Sequence, residues 1–168
     1  MLLLLQKAVE CLHGIEQSPG SSVMEAIQPS LKAFTREEFL KHEDEDVKVL
    51  LATCFCEITR ITAPDAPYDD DVLRVTIVFL RHQMTGLAKF YWVYDVYLVF
   101  EIFPLLQDIF YLIVGTFRGL SDVNSQTFGR RVAILETVAR YRACVVMLDL
   151  ECDYLITDMF RTFLEVVR

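Results

Sequence analysis

Three kinds of side chain in this sequence could do chemistry: clustered carboxylates, three histidines and five cysteines. Asp69-Asp70-Asp71 gathers acid groups, and His42-Glu43-Asp44-Glu45-Asp46 does so again. A calcium loop would need alternating oxygen ligands, a glycine at the turn and a closing glutamate, and Asp69-Asp70-Asp71 lacks them. Both runs read instead as acidic helix starts, where exposed N–H groups and the helix dipole favour negative charge. His13, His42 and His82 lie far apart, each without a second ligand at helical spacing, so no metal site is expected. Among Cys11, Cys54, Cys56, Cys144 and Cys152 there is no Cys-x-x-Cys. Cys54 and Cys56, two apart, point to different sides of a helix. Buried free thiols in a reducing compartment are expected. Glycine-rich phosphate loops, His-Glu-x-x-His and Gly-x-Ser-x-Gly are all missing. No catalytic residue and no cofactor site can be named, and the chain reads as a non-enzyme.

The elements that would carry any other function are helices. At 168 residues, 54% hydrophobic and 24% charged, the chain is one domain's worth. It is too apolar for a disordered tail and too charged for a multi-span membrane protein. Six glycines and five prolines leave few turn signals. A net charge of −8 disfavours direct nucleic-acid binding, because an acidic surface does not neutralise phosphates.

Apolar residues recur at helical spacing almost throughout. Leu5, Val9 and Leu12 fit a first helix, and the opening Met1–Leu5 reads as its abrupt start, since a basic n-region and a cleavage site are missing. Met24, Ile27, Leu31 and Phe34 fit a second, with Ser21 or Ser22 as N-cap. Thr35-Arg36-Glu37-Glu38 spells a capping box for a short turn to Lys41. The clearest stripe is Val47, Leu50, Leu51, Cys54, Ile58 and Ile61, stopped by Ala63-Pro64-Asp65-Ala66-Pro67-Tyr68, since residues before proline leave the α region. Ile109, Ile113, Phe117 and Leu120 predict a helix ending near Gly119. Arg131–Leu148 reads as one long helix with Val132, Leu135, Val138, Val145 and Val146 inward. Leu155, Ile156, Met159, Phe160, Phe163, Leu164 and Val167 predict a last stripe. Leu51, Cys54, Ile58, Leu135, Val138 and Phe160 are expected in the core. The pattern fits an all-α helical solenoid or an irregular bundle, and without a crisp repeat periodicity does not separate the two.

On turn chemistry alone, Ala63–Tyr68 is a connector between helices. Its wording, Ala-Pro-Asp-Ala-Pro-Tyr after Cys56-Glu57-Ile58-Thr59-Arg60, resembles the cohesin-associated family named for precocious dissociation of sisters (Pds-five), in its plant-like branch. Asp46-Val47-Lys48-Val49, Ile134-Leu135-Glu136-Thr137-Val138-Ala139 and Cys144-Val145-Val146-Met147-Leu148-Asp149-Leu150 carry the same likeness. The resemblance implies a HEAT/armadillo-type solenoid fragment acting in the nucleus on the cohesin complex. It also implies that Ala63, Pro64, Asp65, Ala66, Pro67 and Tyr68 dock short tyrosine-containing motifs of cohesin-release or cohesion-protecting proteins. Members of the family are several times longer, so residues 1–168 look like a single partial HEAT-repeat region from an N-terminal fragment.

One block departs from the family. Val75–Gln107 holds the only tryptophan, Trp92, and the tyrosines Tyr91, Tyr94 and Tyr97, while Arg81 and Lys89 balance Asp95 and Glu101. Valine is encoded by GTN and glutamine by CAG, and a pyrimidine tract could encode Phe103-Pro104-Leu105-Leu106, so the block has the form of an in-frame retained intron. Gly86 and Pro104 are expected to break any helix through it. The alternative reading is a small membrane-associated protein anchored by Tyr91–Phe103. Asp95, Glu101 and Asp108 interrupt the apolar run Phe90–Val114, each at about 3 kcal/mol for insertion at the centre of a span, which disfavours it.

Overall fold

A computed structural model describes residues 1–62, 94–149 and 152–167, and every regular element among them is a helix. Helix α1 (Leu2–His13) buries Leu5 and Leu12. Helix α2 (Ser21–Phe34) buries Ile27, Leu31 and Phe34, and the single turn α3 (Glu37–Leu40) comes next. Helix α4 (Glu45–Thr62) is the element on which the others meet: α1, α3, a later long helix and its successor all pack against it. Its start is capped by Asp44, whose Oδ1 accepts the N–H groups of Asp46 and Val47 at 2.8 and 3.3 Å. The whole stripe from Val47 to Ile61 is buried as expected, and Val49, Ala52, Phe55 and Cys56 are buried as well. Phe55 meets Phe34 of α2 edge to face at 6.4 Å. Thr53, Thr59 and Thr62 keep their place in this helix by donating their hydroxyls to the carbonyls of Val49, Phe55 and Ile58.

The second half begins with α5 (Tyr94–Thr116), which tightens into a 3₁₀ segment, Phe117–Ser121. Helices α6 (Phe128–Arg140), α7 (Ala143–Asp149) and α8 (Asp153–Val166) complete the array. The 3₁₀ segment packs on α6 and α8, and α8 also touches α5 and α7. Phe117, fully buried, stacks 5.6 Å from Phe163 of α8.

A buried cation joins the two halves. Arg131 of α6 is 6% exposed. Its Nε donates to Thr127 Oγ1 at 3.2 Å, its Nη1 donates to the Thr116 carbonyl at the end of α5, and its Nη2 lies 3.8 Å from the Glu45 carboxylate on α4. Gly119 makes this possible, because a side chain there would occupy the guanidinium's place. A buried charge is tolerable only when its donors are taken up in this way.

Several sequence expectations are corrected. Helix α2 is capped by Gly20 in extended conformation, with Ser21 already its first residue. The capping box does not form, because the Thr35 hydroxyl donates backward to Lys32 O at the end of α2, leaving Arg36 as the N-cap of α3. Pro104 does not break its helix but lies within α5, exposed, where a proline forfeits one backbone bond. Gly86 is outside the described residues. The long helix over Arg131–Leu148 is two helices, parted at Arg142, whose φ of 47° is left-handed. Val145 and Phe160, expected inward, are 47% and 59% exposed, and Leu164 and Val167 face outward with them. Helix α8 instead buries Leu155, Met159 and Thr162. Leu135 is half-buried against the core, Cys144 half-buried and Cys11 exposed, while Cys54, Cys56 and Cys152 are the buried thiols.

Candidate partner-docking site

Residues Ala63, Pro64, Asp65, Ala66, Pro67 and Tyr68 lie outside the described residues. The support that leads into that segment is described: the last turn of α4 and the α1–α2 connector. Arg60 is the centre of it. Its Nη2 donates to the carbonyls of Leu12 and His13 at the end of α1 and of Ile15 just beyond it, at 3.1, 3.4 and 2.8 Å; the Leu12 carbonyl also accepts the Ile15 N–H at 3.1 Å. Its Nε donates to Glu57 Oε2 at 2.7 Å, one turn back on α4. The other oxygen of Glu57 lies 3.0 Å from His13 Nδ1. A ring of cation, carboxylate, imidazole and helix end is thereby closed, with Glu57 and Arg60 mostly shielded and His13 exposed.

The connector is tied a second time. The Ser18 N–H donates to Ile61 O at 2.9 Å, and Ser18 adopts φ 53° to reach it. Ile61 itself is fully buried, so the end of α4 is pinned from inside by packing and from outside by hydrogen bonds. Beneath this turn, burial pushes the thiols of Cys54 and Cys56 up to about 12, with the Glu57 carboxylate adding to it. They are inert packing groups at neutral pH.

Sequence reasoning did not single out Arg60, Glu57, His13 or Ser18 as a unit. The acid–base spacing of Glu57 and Arg60 on one helix face was visible, but their partners lie more than forty residues away. Of the other histidines, His42 Nδ1 accepts the Asp44 N–H at 3.1 Å, and His82 is outside the described residues. No group of three or more metal-ligating side chains converges among the described residues.

A family model described as Sister chromatid cohesion protein PDS5 protein matches residues 1–95 and 103–168. The chain belongs to the PDS5 family. Over 168 residues it is 47% identical to Sister chromatid cohesion protein PDS5 homolog A of Arabidopsis thaliana, covering all of this chain and 8% of that relative. The corresponding figures for PDS5 homolog C of Arabidopsis thaliana are 40% identity, all of this chain and 16% of the relative. PDS5 homolog B-B of Xenopus laevis is 31% identical over 131 residues, 77% of this chain and 7% of its own length. The chain thus spans a small part of the PDS5 relatives it matches. Its all-α, HEAT-type solenoid architecture is that of the PDS5 family. Within Val75–Gln107 the PDS5 model matches 75–95 and 103–107 and leaves 96–102 unmatched, and residues 75–93 are outside the described part.

Proposed function

We propose that this chain is a non-enzymatic scaffold segment of a nuclear regulator of sister chromatid cohesion. In this reading it associates with the cohesin complex and docks short tyrosine-containing motifs of cohesin-release or cohesion-protecting proteins on Ala63–Tyr68. The observation that carries the proposal is the six-residue motif itself, next after α4 in a chain 47% identical along its whole length to a sister chromatid cohesion protein. The chemistry supports it. Two prolines limit the freedom a docking segment loses on association. Tyr68 offers an aromatic surface with a polar tip, and Asp65 a carboxylate for an arginine of the partner. The net charge of −8 favours basic partner segments. The membrane-anchored alternative is not favoured, since among the described residues no helix is long and apolar enough to cross a membrane.

Isothermal titration of the chain with a synthetic peptide holding a tyrosine beside an arginine tests the reading. Tyr68→Ala and Asp65→Lys are expected to weaken binding by about 1–2 kcal/mol each. The Asp65→Lys effect should shrink as salt rises. Equal affinity for all three folded proteins would leave Ala63–Tyr68 as a connector.

A further inference from the structure

Two exposed aromatic rings and an exposed carboxylate meet where α5 packs against α8. Asp108 and Tyr111 stand three residues apart on α5, and so on one face of it. Tyr154, the second residue of α8, is their neighbour across the helix pair. Its phenol is held above the ordinary tyrosine range, first by partial burial and then by Cys152, Asp108 and Tyr111. Tyr111 and Tyr154 are nevertheless 59% and 55% exposed. A lone aromatic on a surface is ordinary, but two from different helices gathered around an acid form a surface with a chemical preference. Among the described residues no hydrogen bond or ion pair engages the Asp108 carboxylate. Lys41, just after α3, senses its charge but is already paired with Glu37 at 2.5 Å.

We propose that this patch of α5 and α8 is a docking surface for an arginine-bearing segment of a partner protein, with the guanidinium lying against the Tyr111 and Tyr154 rings and donating to Asp108. The proposal is independent of the reading of Ala63–Tyr68. Charge complementarity selects the occupant. Tyrosine faces attract a cation, and a carboxylate beside them adds a charge-assisted acceptor. Arginine suits both, since its guanidinium is planar, forked and weakly hydrated. Tyrosine is also a residue on which interfaces concentrate their binding energy. A second copy of this chain fits less well, because each copy carries a net charge of −8 and would set carboxylate against carboxylate.

Fluorescence anisotropy of the full chain tests it, with a fluorescein-labelled glycine–serine peptide that carries two arginines and with its lysine counterpart. The arginine peptide is expected to bind more tightly than the lysine one. Tyr111→Ala and Tyr154→Ala should each weaken it about five- to tenfold. Tyr111→Leu should lose nearly as much, because leucine keeps apolar surface without an aromatic face, and it carries the test if an alanine variant does not fold. Asp108→Asn should weaken binding about threefold, and by less as salt rises. Glu10→Gln, which removes one charge from the exposed side of α1, should leave affinity unchanged, as should Tyr68→Ala. Equal binding of the two peptides, with equal losses in Asp108→Asn and Glu10→Gln, would show attraction to net charge alone and overturn the docking surface. A loss in Tyr68→Ala as large as in Tyr154→Ala would move the binding to Ala63–Tyr68 and overturn it too. So would sedimentation showing dimers that Tyr154→Ala abolishes, with no peptide bound.

Discussion

Arg131 occupies the space that a side chain at Gly119 would need: a Cβ there would meet the guanidinium Nε at 2.5 Å. The 3₁₀ segment after α5 is therefore shaped around a cation contributed by α6, and that cation satisfies the carbonyl where α5 ends.

Gly119→Ala is expected to push Arg131 out of this place and to destabilise the chain by about 1–3 kcal/mol. Arg131→Ala, which leaves the buried Thr116 carbonyl without its donor, should cost a similar amount. The double variant should lose less than the sum, since both changes remove one arrangement. Urea unfolding of the four proteins measures this, and strict additivity would mean that the two residues are not coupled.

Leu51 and Phe160 separate a core position from a surface one. Leu51 is fully buried and Phe160 is 59% exposed. Leu51→Ala should destabilise by about 2–5 kcal/mol. Phe160→Ala should stay within about 1 kcal/mol of the parent. Denaturant midpoints at unchanged slope decide it, and equal losses would place Phe160 in the core after all.

The cysteines give a pH dependence. Burial holds the Cys54 and Cys56 thiols protonated up to about 12, above an ordinary thiol value of 9.0. In alkali the unfolded chain therefore releases protons that the folded chain keeps. The stabilisation is complete below the unfolded value and is lost as pH rises through the interval between 9.0 and about 12. The slope is up to about 1.4 kcal/mol per pH unit for each thiol. Unfolding midpoints compared with those of a Cys54→Ala, Cys56→Ala variant should show the parent losing stability faster in alkali. In the native chain a maleimide should label exposed Cys11 first and reach Cys54 and Cys56 only after unfolding.

Val75–Gln107 yields a prediction at the level of the gene. Sequencing transcripts across Arg74–Asp108 is expected to find messages that lack the block, and a block present in every message would overturn the retained-intron proposal. Its deletion should leave peptide affinity unchanged or improved.

How much of this could be read beforehand depends on the range of the interaction. The stripe on α4 was legible because burial on one face imposes a helical period on Val47, Leu50, Leu51, Cys54, Ile58 and Ile61. Local rules misled where one residue could serve two neighbours: Thr35 can start a helix or finish one, and it finishes α2. The break before α7 was hidden because Arg142 takes a left-handed place usually given to glycine. On α8, Leu155 with Met159 and Phe160 with Leu164 are adjacent apolar rows, and only packing against α5, α7 and the 3₁₀ segment decides which turns inward. For the candidate site, the six-residue motif rests on its likeness to a family, whereas the contacts that hold the end of α4 were not legible. Arg60 meets carbonyls that no local pattern connects to it.

The Arg60 bond to Leu12 also sets an order of events during synthesis. It joins groups 48 residues apart, so the first helix leaves the ribosome well before the side chain that finishes it. At about 5–20 residues per second the wait is about 2–10 s, vast beside the microsecond or less in which helices form and melt. Over that interval α1 lacks both the Arg60 side chain and the apolar surface of α4, and a twelve-residue helix alone in water is marginal. In the nascent chain Leu5 and Leu12, the residues that α1 buries in the fold, therefore stay uncovered until α4 emerges, and such transiently exposed apolar surface is prone to association.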